Sequence, residues 1–386
     1  MKRIKFGLLP RIILAIVLGI CLGNVMPVGM ERAFMTFNGV FSQLLGFLIP
    51  LIIIGLVTPA IGEIGNHAGK LLVITVVIAY LDTLFSGFFS YFTSSSLFPS
   101  LIATDHVSQL GKAVDVAPFF SISIPPLMDV MSSLVAAFVL GLGIAHYNCK
   151  SILSLFNELK TIIEGTIEKV IIPLLPLYIF GIFMNMTQSG QAVKVLSVFA
   201  AIIVVIFAMH IFILVLQYSV AGVFVHRNPF RLLYNMLPAY FTALGTSSSA
   251  ATIPVTLKST VKNGVSEHIA GFVIPLCATI HLSGSEMKIT ACAVALMLME
   301  GMPFDFGMFA GFICMLGVFM VAAPGVPGGA IMAALGVLAS MLGFGASEQA
   351  LMIALYITMD SFGTACNVTG DGAIAVVMNR FFGEAR

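Results

Sequence analysis

"TIHLSGSEMK" occupies residues 279–288, between the apolar runs "GFVIPLCA" and "ITACAVALMLM". It places His281, Ser283, Ser285, Glu286 and Lys288, with Gly284 among them to permit a break, where the flanks predict a continuous buried helix. A core helix in water tolerates one such residue. A segment surrounded by lipid tolerates almost none unless they find partners or face a cavity. Which solvent surrounds this stretch therefore decides the fold.

Composition answers that first question. Of 386 residues, 59% are hydrophobic and 9% are charged. Soluble domains carry about 25% charged residues. Mean hydropathy is +1.08, and the apolar stretches repeat at about the 20-residue length that spans a bilayer. The class is an all-α polytopic membrane protein. A β-barrel would show short alternating strands instead. A net charge of +1, with basic residues clustered only at the N-terminus, gives no basis for nucleic-acid binding. The six cysteines have no CxxC pair and read as buried free thiols. The opening "MKRIKFGLLPRIILAIVLGICLGNVM" has a long apolar run without a small-residue cleavage site. It reads as a retained first helix rather than a signal peptide.

Spans are expected near 8–26, 35–60, 69–93, 117–147, 165–187 and 195–222. Beyond 230 the pattern changes. Segments 230–257 and 303–344 are punctured by "GTSSSAATIP" and "APGVPGG". Segments 266–298 and 347–380 are long runs broken by "HLSGS" and "SFGTACNVTGDG". If the punctured segments re-enter rather than span, twelve basic residues, among them Lys70, Lys150, Arg227, Lys258 and Arg380, fall on one side. Only Arg32, Lys112 and Lys194 fall on the other. By the positive-inside rule both termini are then cytoplasmic. The order of hairpin, broken helix, hairpin, broken helix reads as an internal repeat whose hairpins enter from opposite sides. Such paired interruptions point to a transport site.

Each interruption has its own chemistry. "TSSSAATIPVT" (246–256) offers hydroxyls and free N–H groups suited to a carboxylate. "APGVPGGAIM" (323–332) offers a flexible, glycine-rich tip. "DSFGTACNVTGD" (360–371) sets Asp360 and Asp371 inside an apolar run, where a carboxylate is costly without a function. Asn367 adds an amide between them, and clustered oxygens suit hard cations. Asp82, in "IAYLDTLFSG", is a further buried acid. It and His281 are proton candidates. Glu286 and Lys288 stand two positions apart, a spacing that does not face on a helix.

These four interruptions, in this order, resemble the glutamate transporter family of dicarboxylate/amino-acid:cation symporters. "TSSSAATIPVT", "CATIHLSGS", "GVPGGAIM" and "NVTGD" carry the resemblance, most clearly over 230–380. It implies eight transmembrane helices, two opposed re-entrant hairpins in inverted repeats, and a homotrimer in a plasma membrane, the inner membrane for a bacterium. It implies scaffold helices 1–2 (residues 1–65) and 4–5 (96–192). A mobile transport domain would comprise helix 3 (66–95) and residues 193–386. The latter hold helix 6, hairpin 1 (230–257), helix 7, hairpin 2 (303–344) and helix 8. Function would be uptake of a small amino acid or dicarboxylate with Na+ and/or H+ as coupling ions, with no other cofactor or transition metal.

Residue by residue, the resemblance implies that Ser248, Ser249, Gly325 and Val326 hold substrate from the hairpins. Asp360 would meet its ammonium, with Asn367 and Thr364 beside it. Asp371, Asn367 and the Cys277 carbonyl match one sodium site. Thr83 matches a ligand of a second, and carbonyls around Thr279 a third. Departures alter this picture. His281 and Ser283 replace the usual Asn and Asp at the break, so the second site loses a carboxylate. Gly363 stands where members that take acidic substrates carry Arg. That favours a neutral amino acid, unless Lys288 or His281 reaches in from helix 7. Two rival classes remain: an intramembrane serine hydrolase using Ser247, Ser248 or Ser249 with His281 as base, and a passive channel.

Overall fold

The structure, a computed structural model, describes residues 7–65, 69–102, 117–188, 190, 192–323 and 327–383. Among the described residues there is no strand, and helices follow one another almost without loops. In order they are α1 (Leu8–Gly23), α2 (Val28–Gly65), α3 (Lys70–Leu101), α4 (Val130–Tyr147), α5 (Lys150–Thr166), α6 (Ile172–Gln188), α7 (Ala192–Val225) and α8 (Pro229–Thr246). Then come α9 (Ser249–Lys262), α10 (Glu267–Ile280), α11 (Ser283–Glu300), α12 (Phe306–Ala322), α13 (Gly329–Leu342), α14 (Ala346–Thr358) and α15 (Asp360–Phe382).

Lipid leaves a spanning backbone little choice but the helix, since each N–H and C=O must bond within its own segment. Five stretches are long and apolar enough to cross: Val28–Glu63, Lys70–Leu101, Lys150–Gln188, Val195–Val225 and Glu267–Glu300. The pair α14–α15, bent by 62°, adds a sixth. The shorter α1 and α4 are also apolar. A π-helical turn, Ile167–Ile171, joins α5 to α6 without a break. The span expected at 165–187 therefore begins at Lys150. The span expected at 117–147 is corrected too: residues 117–129 are not helical, and α4 starts only at Val130. Pro125 and Pro126 explain the delay, for neither proline nor the residue before it favours the helix.

Two helix pairs fold back on themselves. In α8–α9 the open end is tied by Asn263 Nδ2 donating to the Leu232 carbonyl (3.0 Å) and Asn235 Nδ2 donating to Asn263 Oδ1 (2.8 Å). Ser247 makes the turn in the left-handed conformation (φ 50°). Asn228 caps α8, with Pro229 at its first position, a combination that fixes a helix start. In α12–α13, Met341 lies against Gly311, so the two helices also run antiparallel. Asp305 caps α12 through the Met308 N–H (2.8 Å).

Packing sorts the helices. α1 lies on α6, and α2 on α4, α5 and α6. Small residues allow the approach: a β-carbon at Gly19 would stand 2.9 Å from the Phe180 carbonyl oxygen. Such contacts drive helix association where lipid removes the hydrophobic incentive. α3 packs along α11, and α15 is surrounded by α7, α8, α9, α10 and α11. Of the cysteines expected to be buried, Cys277, Cys292 and Cys366 are. Cys21 and Cys314 are exposed, as outward positions on helices whose outer face meets lipid.

Candidate functional site

The opening stretch is where the long α10–α11 span comes apart. Ser266 caps α10. Its ladder ends with the His281 N–H donating to the Cys277 carbonyl (2.9 Å). His281 is extended (φ −109°, ψ 99°), and α11 restarts at Ser283 without a side-chain cap from its own Leu282. A helix start leaves N–H groups without partners. Here α15 supplies them: Asn367 Oδ1 accepts from the N–H groups of Gly284 (2.8 Å) and Ser285 (3.3 Å). Asn367 Nδ2 donates to Ser285 Oγ (3.2 Å). This amide is therefore turned to the break.

Gly284 lies inside α11, and its role differs from the expected one of permitting the break. A β-carbon there would stand 2.7 Å from Cys366 Cβ and 2.8 Å from the Gly363 carbonyl oxygen. It lets two helix backbones touch. The Gly284 carbonyl in turn lies 3.1 Å from His210 Nε2 of α7.

At the break, His281 bridges two acids. Its Nε2 is 2.7 Å from Asp82 Oδ2 on α3, and its Nδ1 is 2.9 Å from Asp371 Oδ1 on α15. Gln217 Nε2 of α7 also donates to Asp82 Oδ2 (2.6 Å) and reaches Ser283 Oγ (3.4 Å). His281 is fully buried at its side chain, Asp371 almost so, and Asp82 keeps 22% exposure. Gly370 leaves room for the cluster, for a β-carbon would meet both Gln217 and the His281 ring at 2.8 Å. Asp82 and Gln217 line a cavity of about 360 Å³ between α3, α7 and α15. An imidazole flanked by two carboxylates donates to both only when it carries its second proton. The arrangement is a buried place for one positive charge between two negative ones.

About three turns along α15, a second charged group forms. α15 begins at Asp360, after the bend at Met359, so the break expected within "SFGTACNVTGDG" is corrected. That stretch is helical throughout, with Asn367 and Asp371 bonded from the neighbouring α10–α11 span, and the chain bends just before it. Asp360 Oδ2 accepts the N–H of Gly328 (2.9 Å), at the end of the α12–α13 turn. Ser247, at the α8–α9 turn, lies 2.7 Å from Ser361 through its hydroxyl. Both hairpin tips thus reach the first turn of α15. Lys288 comes up from α11, fully buried. Its Nζ is 3.4 Å from Asp360 Oδ1, 3.5 Å from the Met359 carbonyl and 3.4 Å from the centre of the Tyr356 ring. Glu286 points the other way, against Gly87 of α3, and neither of its oxygens has a hydrogen-bond partner among the described residues. The two charges therefore do not neutralise each other.

The other expected residues are placed as follows. Ser248 caps α9 through the Ala251 N–H (3.3 Å), and Ser249 is the first residue of that helix. Thr364 Oγ1 donates to the Asp360 carbonyl (2.9 Å). Thr83, buried on α3, donates to the Ala79 carbonyl (2.8 Å). Thr279 is exposed and bonded within α10, to the Leu276 carbonyl (2.8 Å). Gly325 and Val326 lie outside the described residues, as does Lys112. The sequence reading did not single out Gln217, His210, Tyr356 or Ser361. His210 and Gln217 stand seven positions apart in an apolar run, two helical turns on one face. That spacing is the signal for them. Tyr356 and Ser361 carry none.

Broken helices meeting two helical hairpins around buried charges define a class, the secondary transporters built from interrupted helices. The chain belongs to the Sodium:dicarboxylate symporter family, whose pattern residues 8–381 match. It is thus a multi-pass membrane transporter of symporter type. It is 26% identical over 387 residues to the serine/threonine transporter SstT of Acinetobacter baumannii strain AYE, covering 95% of each chain. It is 32% identical over 149 residues to the neutral amino acid transporter B(0) of Rattus norvegicus, covering 38% of this chain and 27% of the relative. It is 28% identical over 250 residues to the excitatory amino acid transporter 3 of Mus musculus, covering 63% and 47%.

Proposed function

We propose that this chain takes up a small amino acid or dicarboxylate, coupled to Na+ and/or H+, by elevator-type alternating access. Eight transmembrane helices and two opposed re-entrant hairpins would form each protomer of a homotrimer with cytoplasmic termini. Helices α1, α2 and α4–α6 would be the scaffold. α3 and α7–α15 would be the mobile unit, a division supported by the packing of α3 on α11 and of α15 on α7–α11.

One observation carries the reading: both hairpin turns and both helix breaks converge on α15, where two groups of buried charge lie. Substrate would bind near Asp360 between the hairpin tips. The coupling ion would act at Asp82, His281 and Asp371. An imidazolium already there supplies the charge that a sodium ion would bring to Asp371, so proton coupling is favoured at this position. Sodium remains the family's ion and would use the remaining oxygen ligands.

The relatives support amino acids as cargo, since their names specify serine/threonine, neutral and excitatory amino acids. The hydrolase alternative lacks its base: both His281 nitrogens face carboxylates, and the family is one of symporters. The decisive experiment is uptake of labelled L-serine, L-aspartate and succinate into proteoliposomes under separate sodium and proton gradients. Accumulation against a gradient is expected. Equilibration without accumulation would mean a passive channel. Accumulation driven fully by sodium, unaltered by pH, Asp82→Asn or His281→Asn, would remove the proton from the scheme.

A further inference from the structure

Lys288 is costly where it stands. A fully buried ammonium has three donors to satisfy, yet its contacts to Asp360 and the Met359 carbonyl are 3.4 and 3.5 Å. Charge-assisted bonds from nitrogen to oxygen run about 2.7–2.9 Å. The Tyr356 face offers a cation–π contact, which stabilises the charge without saturating its donors. The ammonium is held in place and left under-bonded.

Gly363 explains how it gets there. A β-carbon at Gly363 would stand 2.8 Å from Lys288 Nζ and 3.1 Å from Cε. Any larger residue at 363 would displace the ammonium. The absence of a side chain on α15 and the presence of a cation from α11 are one arrangement. Near Asp360 the charges therefore sum to one negative and one positive group. An amino acid with an uncharged side chain has one carboxylate. With that one held at the hydroxyl-rich 246–249 turn, its ammonium meets an Asp360 that Lys288 already faces, and Lys288 is left without an anion of its own.

We propose that Lys288 is a specificity-determining residue that binds a second carboxylate of the substrate. The cargo then has two carboxylates, as an acidic amino acid or a dicarboxylate without an amine. This rests on the symporter reading and selects within it, against the relatives named for serine/threonine and neutral amino acids. His281, the other candidate for that role, is engaged with Asp82 and Asp371.

The test is equilibrium binding of L-aspartate, succinate and L-serine to purified protein, by displacement and by thermal shift, with uptake measured in parallel. The wild-type protein is expected to prefer L-aspartate or succinate to L-serine by about 30-fold or more, the range for removing one partner of a buried charge pair. Aspartate against succinate tells whether the amine is also read. Lys288→Ala should abolish the preference. Lys288→Ala with Gly363→Arg, which returns a cation from α15 once both clashing atoms are gone, should restore it. The double variant also guards against mere misfolding of the single one. Tighter binding of L-serine by the wild type, or an unchanged ratio in Lys288→Ala, overturns the assignment, leaving Lys288 as a fixed counter-ion of Asp360. Failure of the wild type to bind or carry any of the three overturns both this assignment and the proposed cargo on which it rests.

Discussion

Replacing His281 by Asn removes the one positive charge between Asp82 and Asp371. Two short contacts are lost, 2.7 and 2.9 Å. Asp371 has 1% side-chain exposure and cannot turn to water, whereas Asp82 has 22% and can in part. Removing one partner of a buried pair costs about 3–5 kcal/mol, and the partial exposure of Asp82 places this case near the lower end. At about 2.1 cal/mol/K per residue, a chain of 386 residues then falls by about 4 °C in apparent melting temperature. A small cation can then enter and restore the charge balance. Sodium at one hundred times its dissociation constant would return about 2.7 kcal/mol. The assay is a thermal melt of the purified protein in detergent, in choline chloride and in sodium chloride at equal ionic strength. His281→Asn should be clearly less stable than wild type in choline and should gain more from sodium than wild type does. Equal stability in choline, or equal sodium shifts in the two proteins, would refute the idea that the imidazole serves as an internal cation.

Three further outcomes are expected from the same melts. Gly284→Ala drives a β-carbon to 2.8 Å from a backbone oxygen of α15, and should cost about 1–3 kcal/mol as overpacking does. Gly143→Ala on α4, with nothing within 4 Å of the added carbon, should be neutral or stabilising by up to about 1 kcal/mol. Asn367→Ala strips the α11 start of its borrowed cap, leaving two N–H groups buried, and should cost about 1–3 kcal/mol for each group left unpaired.

The sequence alone determined the solvent, the helical class and three of the four places where helices fail, the fourth break lying at Met359, ahead of the stretch expected to carry it. Composition and run length suffice for the first two, because lipid forces every spanning backbone to bond within itself. Pro, Gly and hydroxyl clusters suffice for the third. The costliest residues, Asp82, His281, Lys288, Asp360 and Asp371, announced themselves by being in lipid at all.

Their pairing was decided only by the tertiary structure. Asp82 and His281 are 199 positions apart. Nothing in local spacing joins them, nor sends Lys288 to Asp360 while Glu286, two residues earlier, faces α3. That sorting follows from the 100° advance per residue on a helix wedged between two others. Gly284 and Gly363 read in sequence as a hinge and as a missing arginine. In the fold one is the point where two helix backbones touch, and the other is the space a lysine occupies. Such meanings belong to the facing helix, and only packing supplies it.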